Sequence, residues 1–546
     1  MSRHILITAS LPYANGPLHL GHILEYTQAD IWARFQRLKG HQAYYICGSD
    51  AHGTPIMLRA QKENLDPAVM VEQIREQHMA DFRDFDIVFD NFYTTHSEEN
   101  RELACDIFEK IKAAGHITEK TIEQAFDPEK NMFLPDRFVK GTCPKCGADD
   151  QYGDACEVCG ATYDPTDLKN PLSVLTGATP IQKTSTHYFF ELAPFANAIQ
   201  TWMRDSHLQV PVIKKMNEWF ESGLQAWDIT RDAPYFGFTI PGTTGKYFYV
   251  WMDAPVGYMA SFKHFCAQRP DIDFDSFWQQ GSNTELYHFI GKDVMYFHTL
   301  FWPAMLLGSH YKRPNGVFVH GFVTVNGQKM SKSRGTFITA RAYLKHLAPD
   351  YLRYYFAAKL NAHIEDIDLN LEDFSLRVNA DLVNKLVNIA SRTAGFIRKK
   401  FDNRLAATLD NEALIQQLQD QADHIAELYE SRQYGEAMRV IMQLADEVNS
   451  YISDVEPWAL AKDESQLARV HAICTTAINA FRILMIYLTP VLPTLSEKTV
   501  TFLNVVPFTW QETQVRLLDH AINDFKPMIS RVDPETLSAI LAEGQA

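Results

Sequence analysis

The sequence predicts an α/β fold with a parallel sheet, interrupted by a cysteine-rich insertion and followed by an all-helical C-terminal third. Three observations carry this: a strand–helix–strand pattern opens the chain, four of the eight cysteines fall within seventeen residues, and only three of the 26 glycines lie after residue 384. Ile5-Leu6-Ile7 is short and β-favouring, and a loop with Pro12, Asn15, Gly16 and Pro17 follows. Leu24, Thr27, Ile31, Phe35 and Leu38 then share one helical face, with Arg37 and Lys39 in the last turn and Gly40 as a stop. Tyr44-Tyr45-Ile46-Cys47 reads as the next strand. Two strands joined through one helix make a right-handed parallel crossover, the seed of a Rossmann-like sheet.

Residues 247–251, 287–290 and 317–319 read as further strands, whereas residues 115–235 are rich in Cys, Pro and Asp and lack strand–helix alternation. In the last third, apolar residues recur every three or four positions over 412–429 and 434–451, which predicts amphipathic helices packed as a bundle. At 546 residues the chain is too long for a single core, and 46% hydrophobic with 22% charged residues excludes a disordered or fibrous protein. The apolar run 481–488 contains Arg482 and stops before Pro490, far short of the ~20 residues needed to span a bilayer. No membrane span or secretory leader is expected, and the bunched thiols suit a metal in a reducing, cytoplasmic setting.

The net charge of −16 argues against sequence-independent binding to nucleic acid. The charge is uneven, however. Between 385 and 404, Lys385, Arg392, Arg398, Lys399, Lys400 and Arg404 face Asp402 alone, a local +5.

Three motifs carry chemistry. His19-Leu20-Gly21-His22 sits where the first loop becomes the first helix, where free amides and the helix dipole favour anions. Two imidazoles one turn apart would add donors, and Gly21 would let a nucleotide approach closely. Taken alone, the motif is equally a helix cap with two solvated histidines, or a metal pair. Lys329-Met330-Ser331-Lys332-Ser333 suits a loop closing on a polyphosphate, with Lys as point charge and Ser and backbone amides as hydrogen-bond donors. Gly242-Thr243-Thr244-Gly245-Lys246 has the wrong spacing for a Walker loop. Cys143-x2-Cys146-x9-Cys156-x2-Cys159 can close a tetrahedral four-thiolate zinc site that is structural, since protein fills every position.

The His-x-Gly-His and Lys-Met-Ser-Lys-Ser pair, about 310 residues apart, resembles the signature of class I aminoacyl-tRNA synthetases. Within that class the chain resembles the methionyl-tRNA synthetase family, of the bacterial type with a four-cysteine zinc knuckle. Leu11 to Gly16, Asp50-Ala51-His52-Gly53-Thr54-Pro55, Trp251-Met252-Asp253-Ala254-Pro255 and Gly291-Lys292-Asp293 carry the likeness, which runs from about residue 4 to about 535. Leu20 departs mildly from the family's usual Ile. The insertion is too short for the large editing domain of the enzymes for branched amino acids, which also favours methionine.

The resemblance implies a catalytic Rossmann-like domain in two halves, 1–114 and 236–322, split by a zinc-bearing insertion at 115–235. A loop and stem-contact region at 323–384 and an all-α anticodon-binding domain at 385–546 complete it. It implies methionine–tRNA ligase activity, forming methionyl-adenylate from L-methionine and ATP and then charging initiator and elongator tRNA(Met). His19, His22, Lys329 and Lys332 would be catalytic; His19, Gly21, His22, Asp293 and Lys332 would bind ATP with its Mg2+. Leu11, Tyr13, Asp50, Trp251, Ala254, Pro255, Tyr258, Phe297 and His298 would hold methionine, with Asp50 on the ammonium and aromatic edges on the sulfur. Asn388, Arg392 and Trp458 would read the anticodon by stacking and edge contacts. One structural zinc per chain and a monomer are expected. A class I synthetase for another apolar amino acid, a tRNA-independent adenylyltransferase of the same superfamily, and a non-catalytic RNA-binding derivative remain as alternatives.

Overall fold

The computed structural model describes residues 2–153, 156–161, 163, 165–330 and 336–545. Its centre is a six-stranded sheet built from β1 (His4–Ala9), β2 (Gln42–Ser49), β3 (Asn91–Thr94), β4 (His207–Leu208), β5 (Glu285–Gly291) and β6 (Gly316–His320). The order is β4-β6-β5-β1-β2-β3, every pair parallel. β1 is the pivot: the chain proceeds to β2 on one side and returns much later to β5 on the other. Ligands of open α/β sheets bind at this kind of switch point, beyond the carboxyl ends of the strands.

The helix α1 (Leu20–Leu38) follows β1 and carries the apolar face expected of it. It is buried on the opposite side as well, where Tyr26 packs on Phe82 and Trp32 on Tyr287, Phe289 and Phe318, while Phe35 on the expected face stacks against Tyr429 and Trp510 of the C-terminal bundle. Trp32 Nε1 donates to the Glu430 carbonyl at 3.2 Å, and Tyr434 Oη donates to the Gln28 carbonyl at 3.2 Å. Asp30, buried within α1, accepts from Arg34 at 2.7 Å and from the fully buried Arg353 at 2.6 Å. Arg353 also donates to the carbonyls of Phe85, Asp86, Pro490 and Val491. One guanidinium thus ties the catalytic half to the bundle with its charge and hydrogen bonds satisfied, the condition under which a buried ion pair is tolerated.

The insertion is more β-rich than its composition suggests. Ile117–Asp127 and Ile181–Phe190 form a long antiparallel ribbon, extended to four strands by Met132–Phe133 and Trp227–Asp228. Much of the ribbon is exposed, so its residues lack the apolar alternation by which a half-buried strand is recognised. A smaller three-stranded sheet carries the cysteine knuckle. Between the ribbon's long strands and its edge strand Trp227–Asp228, β4 pairs with β6, so the chain touches the main sheet at residues 207–208 before returning to the ribbon.

Residues 287–290 and 317–319 lie in β5 and β6 as expected. Residues 247–251 do not form one strand. Lys246–Phe248 pairs antiparallel with Thr230–Asp232, and the chain then turns into the short helix Val250–Asp253. The three-residue partner limits the ladder, and Trp251 stacks on Phe297 instead of extending it.

The C-terminal third is helical throughout its core. The run 412–429 becomes two helices, Glu412–Asp420 and Ala422–Glu430, and the second run becomes Tyr434–Val455. Leu467–Leu488 is the central helix and is longer and more apolar than the stretch 481–488 suggested. By length and composition it could cross a membrane, yet every residue from Ala472 to Leu488 is buried in the bundle. The buried Arg482 donates through Nη1 to the carbonyls of Glu512 and Val515 at 2.9 and 3.0 Å.

Candidate active site

A cavity of about 1170 Å³ opens beyond the carboxyl ends of β1 and β5. At one end, His19 is the N-cap of α1. Its Nδ1 accepts from the amides of Gly21 at 3.1 Å and His22 at 3.4 Å, while His22 Nδ1 accepts from the His19 amide at 3.2 Å. Two imidazoles thus form a reciprocal capping box, a role usually taken by Ser/Thr and Glu. The rings stack at 3.7 Å. With both Nδ1 atoms accepting, each neutral ring carries its proton on Nε2. Burial lowers the pKa of His19 to about 4, and burial, followed by the neighbouring His19 and His78, lowers that of His22 well below its usual value. At neutral pH the pair therefore offers two uncharged N–H donors at a helix N-terminus.

The Lys-Met-Ser-Lys-Ser segment approaches the same corner. Lys329 ends a hairpin turned through Asn326 and Gly327, both at positive φ, and is exposed at the cavity wall. A Cβ on Gly21 would lie 2.7 Å from the tip of Met330, so the glycine permits this close approach. Beyond the segment the chain returns to α1: Leu20 N donates to the Ile338 carbonyl at 3.1 Å and Ala340 N to the Leu18 carbonyl at 2.9 Å. Lys332, with Ser331 and Ser333, lies outside the described residues. Asp293 is exposed at the cavity wall.

The other end of the cavity holds Leu11, Tyr13, Asp50 and Trp251. Asp50 is fixed by its backbone, its N donating to Pro12 O at 3.0 Å and its O accepting from Ala14 N at 2.8 Å. Its Oδ1 is buried without a hydrogen-bond partner. Burial, and then the charge of Asp253, pushes its carboxyl well above the usual range. Gly53 adopts φ +125°, and a Cβ there would meet the Tyr13 hydroxyl at 2.9 Å, so only glycine fits beside this wall.

Ala254, Pro255, Tyr258, Phe297 and His298 are not brought into the open cavity and stand behind Trp251. Trp251 and Phe297 stack in parallel at 3.8 Å. His298 Nδ1 donates to the Val294 carbonyl at 3.0 Å, so Nε2 accepts from the Tyr258 hydroxyl at 2.7 Å. Burial lowers the His298 pKa to about 4, keeping the ring neutral against an apolar side chain.

Sequence reasoning missed several residues here. Glu25, on α1, accepts from Ser10 N at 2.7 Å and from His320 at 3.0 Å across 295 positions. Although burial acts in the opposite direction, Glu25 raises the pKa of His320. Arg231 lines the cavity with its guanidinium 3.8 Å from the Tyr249 ring. Its strand is braced by His187, whose two ring nitrogens contact Asp228 at 2.8 Å and Asp232 at 2.9 Å. No local motif marks these residues; only the packing of the insertion against the sheet brings them together.

The four knuckle cysteines converge. Their sulfurs lie within 4.8 Å of one another, with Cys143–Cys159 at 3.9 Å and Cys146–Cys156 at 3.6 Å. A tetrahedral Zn–S length of about 2.3 Å requires edges near 3.8 Å, so the donor set fits zinc and excludes disulfides. Gly147 and Gly160, at φ +75° and +70°, close the two equivalent turns. The cluster is the sole candidate metal group among the described residues.

In the bundle, Arg392 stacks 4.7 Å over the ring of Trp458, which is 38% exposed and follows Glu456 in the left-handed region. Asn388 begins the same helix as Arg392. The local +5 is reduced in place, since Lys385 pairs with Asp446 and Arg404 with Asp519, at 2.8 and 2.7 Å.

Two family models divide the chain. Residues 5–394 match "tRNA synthetases class I (M)", and residues 404–529 match the anticodon binding domain of methionyl tRNA ligase. Among solved structures, a Mycobacterium tuberculosis methionyl-tRNA synthetase in complex with methionyl-adenylate is similar at 24% identity and TM-score 0.79, over 97% of this chain and 99% of that one. A second methionyl-adenylate-bound structure from that organism matches at 22% identity and TM-score 0.79, over 96% of this chain and 100% of that one. The free form matches at 21% and 0.74, over 98% and 99%. These identities speak for a shared fold, and the first family model alone spans more than half of the chain: it belongs to the class I tRNA synthetases of the methionine type.

Proposed function

We infer that the chain is a methionine–tRNA ligase, and the observation that carries this is the shared cavity. The His19–His22 donor pair and Lys329 stand at one end, and the half-buried Asp50, whose Oδ1 has no hydrogen-bond partner, at the other. In the first step the methionine carboxylate attacks the α-phosphorus of ATP in line, releasing pyrophosphate. The attacking group is already ionised, so catalysis consists of positioning and charge stabilisation. His19 and His22 donate their Nε2 protons to phosphate oxygens; Lys329 and Lys332 supply point charge on the pyrophosphate side. ATP arrives as its Mg2+ complex, which offsets phosphate charge. Asp293 contacts the nucleotide. Asp50 receives the ammonium, and the wall of Leu11, Tyr13, Trp251, Ala254, Pro255, Tyr258, Phe297 and His298 receives the thioether chain.

In the second step the 2′-hydroxyl of the terminal adenosine of initiator or elongator tRNA(Met) attacks the adenylate carbonyl. Asn388, Arg392 and Trp458 read the anticodon, with Arg392 and Trp458 offering stacked planar faces to splayed bases. A structural zinc on the four cysteines holds the tip of the insertion, and a reducing cytoplasmic setting suits its free thiolates. ATP–pyrophosphate exchange with each of the twenty amino acids, without tRNA, tests the reading. Exchange with methionine alone supports it; exchange with another amino acid, or with none in the zinc-loaded protein, overturns it.

A further inference from the structure

The helix Pro67–Asp84 packs against the loop between β1 and α1 and has no part in the reaction scheme. Its buried residues Met70, Val71, Ile74, His78, Asp81 and Phe82 form one stripe at helical spacing. Met70, Val71 and Ile74 share a small apolar core with Ala14, and Phe82 meets Tyr26 of α1 edge-on, ring centroids 4.4 Å apart. His78, 1% exposed, interrupts this apolar stripe. Its Nε2 donates to the Gly16 carbonyl at 2.7 Å, across 62 positions. Nδ1 is thereby left as an acceptor, and it is buried without a hydrogen-bond partner. An orphaned polar atom costs stability, so packing alone does not account for an imidazole at this position.

The loop that His78 grips decides where α1 begins. Upstream it is pinned by backbone pairing with Asp50, Ala14 N donating to the Asp50 carbonyl at 2.8 Å. Downstream it is pinned where Ala340 N donates to the Leu18 carbonyl at 2.9 Å. Between these points Pro17 has no amide hydrogen, and His78 makes the sole side-chain hydrogen bond to residues 14–18 among the described residues. His19 follows three residues after Gly16. The same helix also holds the far side of the Lys-Met-Ser-Lys-Ser segment, where Arg341 donates through Nε to Asp81 at 2.8 Å and through Nη1 to Asp84 at 2.7 Å. One rigid element therefore grips both signature segments, the first through His78 and the second through Asp81 and Asp84.

We propose that His78 is a positioning residue of the nucleotide end: by donating to the Gly16 carbonyl it fixes the loop from which His19 and His22 are aimed at the phosphates. This rests on the reading of that end as the nucleotide site. The pairing of Ala14 with Asp50 is independent of His78, so the amino-acid end keeps its shape when the contact is lost. The loss then falls on rate and spares methionine binding.

The test is ATP–pyrophosphate exchange with methionine in the zinc-loaded full chain, comparing wild type, His78→Gln and His78→Met below the melting transition of each. The Gln amide nitrogen stands where Nε2 does and can donate to the Gly16 carbonyl, so His78→Gln is expected to retain most of the wild-type kcat. Met fills the space and donates nothing. A displacement of about 1 Å at a reacting group can cost about 100-fold in rate, so His78→Met is expected to lose about 10- to 100-fold in kcat with KM for methionine nearly unchanged. Wild-type kcat in His78→Met, even with a lowered melting temperature, marks a structural residue and overturns the proposal. An equal loss in both variants, or a matching rise in KM for methionine, also overturns it. Should His78→Met not fold, His78→Asn, whose shorter amide falls short of the carbonyl, carries the same expectation. Absence of exchange in the wild type overturns the nucleotide-site reading beneath it, whereas the variants overturn only the role of His78.

Discussion

The two ends of the cavity are built by opposite means. The nucleotide end is centred on four consecutive residues, two of them neutral imidazoles locked to their own helix terminus, with Lys329 brought up beside them. The amino-acid end is assembled from Leu11, Asp50, Asp253 and His298, far apart in the chain, and centres on buried carboxylates. One end works through preset hydrogen-bond direction, the other through charge held in a poorly solvated place. The first should tolerate changes of pH and fail when geometry is lost; the second should fail when charge is lost.

The contrast can be broken at several points. Replacing both His19 and His22 by Ala removes two donors aimed at the transition state. Each such donor is worth about 10²–10³ in rate, so exchange should fall by about 10⁴-fold or more in kcat, with KM for methionine nearly unchanged. A matching rise in that KM would show that the ends are not separate. Asp50→Asn leaves the ammonium without its counter-charge. Breaking a buried pair costs about 3–5 kcal/mol, so KM for methionine should rise by about 10²- to 4 × 10³-fold while ATP affinity stays near normal. Trp458→Ala removes a stacking platform worth about 1–3 kcal/mol per base and should weaken tRNA charging by about 5- to 150-fold, leaving tRNA-independent exchange intact. An equal loss of exchange would make the tryptophan a structural residue of the bundle.

The smallest effect concerns acid stability. His19 is held neutral in the fold, with its pKa lowered to about 4 by burial. The unfolded chain takes up protons near the usual value of about 6.5, so this histidine's contribution is present above that pH and is lost as pH falls toward 4. His19→Gln should flatten the fall in melting temperature between pH 6.5 and 4. An unchanged slope would mean that His19 is not held neutral by its surroundings.

The same contrast explains what the sequence disclosed. His19-Leu20-Gly21-His22 and the two Cys-x2-Cys turns are local, so spacing alone announced a thiolate cluster and offered a helix cap as one reading of the histidines; the structure shows the cluster and a cap made by the two histidines themselves. The parallel crossover and the helical last third were legible because period and glycine content are also local properties. Pairs such as Glu25–His320 and Asp30–Arg353, about three hundred positions apart, are products of packing and leave no periodic trace. Residues 247–251 show the reverse error: β-favouring aromatics were read as strand, but tertiary stacking of Trp251 on Phe297 took precedence. Lys332 lies outside the described residues, so its role rests on the resemblance alone.

The central claim is that the nucleotide end presents neutral imidazoles with their protons on Nε2. Imidazole ¹⁵N shifts in histidine-labelled, ligand-free protein at pH 7, assigned by single His19→Gln and His22→Gln variants, measure this directly. The account predicts both rings neutral, with Nδ1 unprotonated and Nε2 protonated. An imidazolium at either position, or protonated Nδ1, would contradict it.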